Sequence, residues 1–278
     1  MAIITLTTDF GEKDHFAGAI KGAIYCELPD VKIVDISHSV SPFSIPEAAY
    51  IIQNAYSSFP KGSIHLIGID SEINQENKHI VIKLDDHYFV CANNGIMSMI
   101  CSEIAPEKIV EINIHEKIET SFPVLDVFVK VACHIARGGT LEVIGKPIQG
   151  IKPLKNIIPF VNAERNQIIG NVVYIDNYGN VVTNIKRKFF EDIQKGRSFE
   201  IYARNYKFKE IFTKYSDIVN FDIEAEKRHD EGRGLVVFNS SNYMEIAIYK
   251  SNCTTVGSAS TLMGLNMMDT VTVNFLKE

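Results

Sequence analysis

Between residues 2 and 146 the chain alternates β-branched stretches with stretches whose apolar residues recur at helical spacing; beyond that point the alternation stops. Such a pattern calls for helices layered on a largely parallel sheet. Residues 2–8 read as the first strand, and 15–26 as a helix with Phe16, Ala19, Ile20, Ala23 and Ile24 along one face. Residues 31–36 form the second strand. Ser44 is placed to cap the next helix, with Pro46 in its first turn, Glu47 completing a capping box, and Ala49, Ile52, Ala55 and Tyr56 facing inward. Residues 64–69 are apolar throughout, as in a strand buried on both faces. Strands 80–84 and 88–91 flank an Asp85-Asp86 turn, Asn94-Gly95 leads into a short helix, and 109–114 is a further strand. Asp126 is placed to cap a helix over 127–136 that Gly138-Gly139 closes.

The stretch KPIQGIKPLKNIIPF holds three prolines and no helical period, and reads as a connector. Short strands then follow at 168–175, 181–185, 199–203, 234–238, 244–249 and 270–275, the spacing of a small β barrel or sandwich. Residues 223–233 are a dense charge run, read as a solvated loop. The expected fold class is therefore an α/β N-terminal domain with a largely parallel sheet, followed by a smaller all-β barrel or sandwich. The domains expected are 1–150, a connector 151–165, and 166–278.

Composition narrows the function classes. With 46% hydrophobic and 22% charged residues the chain is globular. Its 28 Lys and Arg against 34 Asp and Glu, net −6, argue against a nucleic-acid partner, which would need a basic face. No apolar run approaches the ~18 residues of a membrane helix, so no membrane partner is expected. MAIITLTTDFGEKD reads as a strand rather than a signal peptide, and the scattered cysteines (Cys26, Cys91, Cys101, Cys133, Cys253), with no CxxC, read as buried reduced thiols. The expected location is cytoplasmic.

The candidate chemistry begins with acids at strand ends. Asp9 follows Leu6-Thr7-Thr8, with Asp14 and His15 a turn further on; Asp35 and Asp70 end the second and third strands. In an open parallel sheet the ligand crevice lies outside those carboxyl ends. Each Asp taken singly also reads as a helix cap. No GxGxxG follows the first strand, and GxxxxGK[ST] and GxSxG are absent. Nothing in the spacing of Asp9, Asp14, His15 and His38 requires a metal, and none is expected; His38 reads equally as a cap or a core hydrogen-bonding group. Further on, Asp176-Asn177-Tyr178-Gly179-Asn180 is a hairpin turn by composition. It also places a tyrosine at a tip, between a carboxylate and a carboxamide, where it can stack on a base. Asn239-Ser240-Ser241-Asn242 invites the same two readings.

Taken in order, TTDFG with Asp14, VDISHSVSPF, the strand end at Asp70, CANNG, the helix after Ser121-Phe122, IDNYGNVVTNI and NSSNYMEIA resemble the motifs of the S-adenosyl-L-methionine (SAM) hydroxide adenosyltransferases, relatives of the fluorinase and chlorinase. The resemblance spans nearly the whole chain. It implies attack of water or hydroxide on C5′ of SAM, releasing adenosine and L-methionine, with SAM as substrate and no cofactor. It also implies a homotrimer with sites between subunits. Carried across, Asp9 binds the ribose diol and Phe43 lies against the ribose. Asp176 pairs with the methionine ammonium, with Ser240 and Ser241 near its carboxylate. Tyr178 stacks on adenine, Asn180 hydrogen-bonds its edge, and Asn93 and Asn94 shape the pocket.

The sequence departs from the family pattern at the water-handling set, where Asp70 is the expected catalytic residue. The family's Arg position is Asn77, with Lys78 adjacent as a substitute cation, and its His position is Pro123. Two functions therefore stand side by side: SAM hydrolysis resting on Asp70, and an adenosyl-ligand-binding protein of the same fold with little turnover. A halogenase is disfavoured, because the Asp70 carboxylate repels a halide.

Overall fold

The computed structural model describes residues 2–101, 104–114, 120–155, 157–228 and 232–276. The chain divides into two compact units, Met1–Lys155 and Asn156–Glu278.

The first unit runs β1 (Ile3–Thr8), α1 (Phe16–Glu27), β2 (Lys32–Ser37), α2 (Ile45–Ala55), β3 (Ile64–Gly68), β4 (His79–Leu84), β5 (His87–Ala92), α3 (Ile96–Ile100), β6 (Lys108–Ile112), α4 (Val129–Ala136) and β7 (Gly145–Pro147). Its sheet has the order β2-β1-β3-β5-β4-β6-β7. Strand alternation sorts the core onto both faces. Val81 and Val90 join Ile20 and Ile24 of α1 and Phe128 and Val131 near α4. Ile80, Ile82, Phe89 and Cys91 turn the other way, to Ala49 and Ile52 of α2 and Ile96 of α3. Helices thus cover both sides of one sheet.

That sheet is mixed, not largely parallel as the alternation implied. The β2-β1-β3-β5 half is parallel, whereas β5-β4-β6-β7 is antiparallel. The cause is local: Asp85 and Asp86 both adopt positive φ, 49° and 61°, the mirror-image turn that joins two strands as a tight hairpin.

Two cap expectations also fail. The Ser44 side chain makes no cap hydrogen bond; Glu47 instead accepts from the Ser41 amide at 3.2 Å. Asp126 lies inside a π-helical turn, Val124–Phe128, that precedes α4, and it accepts from the Thr120 hydroxyl. Nor are all the thiols buried: Cys91 and Cys133 are, Cys101 is intermediate, and Cys26 and Cys253 are exposed, all five being free.

The second unit contains β8 (Phe160–Val161), β9 (Gln167–Ile175), β10 (Val181–Lys186), α5 (Arg187–Gln194), β11 (Phe199–Ala203), β12 (Tyr206–Phe208), β13 (Gly234–Phe238), β14 (Tyr243–Ile248), α6 (Ala259–Leu262) and β15 (Thr270–Phe275). Its antiparallel order is β12-β11-β15-β9-β10-β14-β13, with β8 on β9. Phe212, just beyond β12, bridges to Val237 of β13, so the two ends of the order meet in a nearly closed, barrel-like sheet. The helix α5 was not foreseen; it seats Phe190 and Ile193 in the barrel core. Of the charge run, residues 229–231 lie outside the described residues; Ile223, Glu224 and Lys227 are exposed. Among the described residues no helix is long and apolar enough to cross a membrane.

Candidate functional site

In the parallel β1–β3 ladder Thr8 pairs with Gly68, so Asp9 and Asp70 leave neighbouring strands side by side at their carboxyl ends. Burial raises the Asp9 carboxyl above the ordinary carboxylate range; the Phe43 amide opposes that rise, and the charge of Asp70 adds to it. The Phe43 amide donates to Asp9 Oδ2 at 2.8 Å, and Phe43 itself sits at φ 62°, the residue 73% exposed. A bulky aromatic in the left-handed region is a strained arrangement, of order 1 kcal/mol, and the Asp9 carboxylate is what holds it.

Asp70 is strained in the same sense, at φ 42°. Buried Asn94 anchors it: Nδ2 donates to the carbonyls of Ile69 at 2.9 Å and Asp70 at 3.3 Å, while Oδ1 accepts from the Ile96 amide at the start of α3. Asn77 Nδ2 reaches Asp70 Oδ2 at 3.5 Å, and Lys152 Nζ donates to Asn77 Oδ1 at 3.0 Å. Lys78, the adjacent cation, is exposed; among the described residues no hydrogen bond or ion pair joins its side chain to Asp70. Pro123 precedes the π-helical turn, whose Val124 side chain packs on Gly68 so closely that a Cβ there would lie 3.1 Å from it. Position 123 thus stands near the end of β3, filled by a residue with no side-chain proton to exchange.

The other acids behave differently. Asp35 lies inside β2, bonded to Lys21 at 2.5 Å and 3.1 Å from His38 Nε2. Burial works against its ionisation, but those two partners outweigh it and hold the carboxyl below the usual range. Buried His38 also meets Thr8 Oγ1 at 2.7 Å, which braces the end of β1; its role is the core hydrogen-bonding one. Asp14 is exposed just before α1, and no described contact joins it to Asp9 or Asp70. Among the described residues no three His, Cys, Asp or Glu side chains converge as a metal centre.

In the second unit the β9–β10 turn is organised by one carboxylate. Asp176 accepts from the amides of Tyr178 at 2.9 Å and Asn180 at 2.8 Å, and from Asn180 Nδ2 at 3.0 Å. A carboxylate offers about four acceptor positions, so one remains open. Gly179, at φ 75°, is required: a Cβ there would lie 2.2 Å from Ser258 Oγ. The turn presents Tyr178, 63% exposed, beside buried Asn180, whose Oδ1 has no hydrogen-bond partner among the described residues. A buried carboxamide oxygen left open is costly and suits an incoming N–H donor.

Ser240 and Ser241 lie on the β13–β14 loop, whose amides at 241 and 243 donate to Asn239 Oδ1. Among the described residues no hydrogen bond joins either serine to the Asp176 turn. Buried Glu245 lies between: Tyr215 and Asn239 donate to it, and the charge of Asp176 reaches it. Burial, above all, raises the Glu245 carboxyl. Sequence reasoning missed both Lys152 and Glu245. No local pattern marks them, since each acquires its partners through the fold.

Comparison with known proteins places the chain in a family. Residues 4–145 match the SAM hydroxide adenosyltransferase N-terminal domain, and 170–272 the C-terminal domain. The (R)-S-adenosyl-L-methionine hydrolase of Methanocaldococcus jannaschii is 28% identical over 98% of this chain and 95% of its own. A fluorinase of Nocardia brasiliensis is 24% identical, over 70% of this chain and 74% of its own. The crystal structure of an uncharacterized conserved protein from Thermotoga maritima superposes with TM-score 0.81 at 28% identity, covering 99% of this chain and all of that one. With both of its halves matched in order, the chain belongs to the SAM hydroxide adenosyltransferase family.

Proposed function

We propose that this protein hydrolyses S-adenosyl-L-methionine to adenosine and L-methionine. Water attacks C5′, an O–C bond forms as the C–S bond breaks, and the sulfur keeps the electron pair as it leaves in methionine; the water's proton passes to Asp70 and on to solvent. A sulfonium is already a good leaving group, so the substitution needs alignment and desolvation, with no resident metal or cofactor. The observation that carries this reading is Asp70: a carboxylate on strained backbone, anchored by Asn94, beside Asp9 at the ends of adjacent strands. Named (R)-SAM hydrolases among the relatives support it.

In this scheme Asp9 accepts from the ribose diol while Phe43 covers the sugar. Tyr178 stacks on adenine, Asn180 Oδ1 accepts from the adenine amino group, and the open position of Asp176 takes the methionine ammonium, with Ser240 and Ser241 toward its carboxylate. Asp14 remains a binding residue on resemblance alone. A homotrimer and a cytoplasmic location belong to the same proposal.

A second reading has an observation of its own. Pro123 and Asn77 stand where the family pattern has His and Arg, which favours an adenosyl-ligand-binding protein with little turnover. One experiment separates the two: incubation with the (R) and (S) epimers of SAM, with and without chloride, followed chromatographically. Hydrolysis predicts equimolar adenosine and methionine, no halogenated nucleoside, and a loss of ~10²-fold or more in Asp70→Ala with ligand affinity kept within a few-fold. No product, alongside a ligand-induced thermal shift, supports the binding protein.

A further inference from the structure

We infer that Lys152 is a positioning residue for Asp70, acting through the side-chain amide of Asn77 in place of a direct arginine contact. The inference rests on the hydrolytic reading of Asp70. The orientation of the amide follows from chemistry alone. An ammonium only donates, so the group 3.0 Å from Lys152 Nζ must be the carbonyl oxygen of Asn77. The amide nitrogen is then turned to Asp70, with Nδ2 at 3.5 Å from Oδ2, and a donor facing a carboxylate is the favourable arrangement. Reversing the amide would set donor against donor at one end and oxygen against oxygen at the other.

Both ends of this relay are fixed by neighbouring asparagines. Asn94 holds the carbonyl of Asp70, and Asn93 Oδ1 accepts from the Lys152 backbone amide at 2.8 Å. Leu154 extends the clamp: its amide donates to Ser98 Oγ at 2.9 Å, and its Cβ would stand 2.9 Å from a Cβ built on Gly95. The middle is fixed as well, because Asn74 Oδ1 accepts from the Asn77 backbone N–H at 2.8 Å and the Asn77 side chain is buried. The rival partner is weak: Glu76 Oε2 lies 4.0 Å from Lys152 Nζ, on a side chain 86% exposed.

A polarised amide between the charges strengthens the N–H that meets Oδ2, while the ammonium stays partly solvated, which avoids the cost of burying an ion pair. With Oδ2 engaged, Oδ1 of Asp70 is the oxygen left to receive the proton of the attacking water.

The test uses the full chain and five proteins: wild type, Lys152→Met, Lys152→Arg, Asn77→Ala and the double variant Asn77→Ala with Lys152→Met. In Lys152→Met, kcat for SAM hydrolysis should fall about tenfold, less than the ~10²-fold typical of losing a direct electrostatic donor. KM should stay within about twofold. Lys152→Arg should recover most of the rate, and Lys152→Met should cost no further activity on top of Asn77→Ala. Independently of turnover, the Asn77 side-chain amide resonances should move upfield in Lys152→Met and hold in Lys152→Arg. Unchanged kcat in Lys152→Met, or an unmoved Asn77 amide, overturns the inference. A wild type that releases no adenosine overturns the hydrolytic reading instead, and the amide resonances then still decide whether Lys152 acts on Asn77.

Discussion

In the β9–β10 turn, Asp176 is held by groups no more than four residues away, whereas at the ends of β1 and β3 the amide that meets the Asp9 carboxylate and the Asn94 side chain that holds the Asp70 carbonyl come from 34 and 24 residues away, and Asn77, seven residues on, adds to the latter. The first arrangement can form as soon as its hairpin does, because the carboxylate satisfies its own turn. The second exists only when β1, β3 and the start of α3 are already side by side. The strained residues of the candidate site belong to this second kind, Asp70 at φ 42° and Phe43 at φ 62°. A local turn can relax its strain by shifting a few torsions; a cross-sheet contact cannot without unpacking the core. The costly conformations at Asp70 and Phe43 therefore stand where the folded sheet imposes them.

The largest expected effect exploits opposite responses to acid. His65 is buried in the first unit, meeting Thr5 Oγ1 at 2.7 Å and His87 Nδ1 at 3.1 Å; burial, then the neighbouring His87, pushes its pKa down from 6.5 to about 3. The unfolded chain thus takes up a proton that the folded chain refuses. That contribution is complete above pH 6.5 and is lost as pH falls toward 3, at about 1.4 kcal/mol per pH unit. Glu245 in the second unit has the reverse sign: its raised folded pKa gives stability that is present in acid and lost as pH rises. Hydrogen exchange between pH 7 and 4 should show β1, β3 and β5 losing protection before β10 and β14. Loss in the opposite order would break the contrast between the units.

A smaller effect sharpens it. Asn94→Ala removes three hydrogen bonds in a buried place and should cost about 2–3 kcal/mol in urea unfolding, with a lowered kcat as Asp70 loses its anchor. Asp176→Asn keeps an acceptor for the turn amides and should cost under about 1 kcal/mol. Equal costs would mean that distance along the chain does not govern how firmly these acids are held.

The smallest effect is a near-null. Since Ser44 makes no cap hydrogen bond, Ser44→Ala should change stability by less than about 0.5 kcal/mol, against the ~1 kcal/mol usual for an N-cap. A full-sized loss would show that the cap forms in solution.

How much was legible follows the same division. Strands β9, β10, β11, β13 and β15 stand within a residue of where alternation and turn residues put them, because those signals are local. The Asp85-Asp86 turn was read correctly, yet its consequence was not: a hairpin reverses the chain, and half the sheet became antiparallel. Helix α5 escaped because its apolar positions, Phe189, Phe190 and Ile193, fill barely two turns, and only the barrel core gives them a reason to be helical. Ser44 and Asp126 had the right chemistry for caps, but the Ser44 side chain makes no cap hydrogen bond and Asp126 accepts from Thr120 within a π-helical turn.

At the site, Asp9 and Asp70 could be singled out because strand ends in an open sheet are where ligands bind. That they stand side by side follows from the β1–β3 register, which no local pattern encodes. The loss of the family's Arg and His at Asn77 and Pro123 was likewise visible as a departure, but Lys152 was not. It lies 75 residues from Asn77 in a stretch whose prolines read only as a connector.

The sequence by itself determined the order of the principal strands and the first-half helices, the two-part character of the chain and the kinds of residue at each strand end, since period, turn chemistry and charge act over a few residues. Only the tertiary structure decided sheet direction, the strain at Phe43 and Asp70, and which cation meets which amide. Those depend on backbone register and on contacts closed across tens of residues, where the free energy of the whole core selects one partner among many that the local chain would accept equally well.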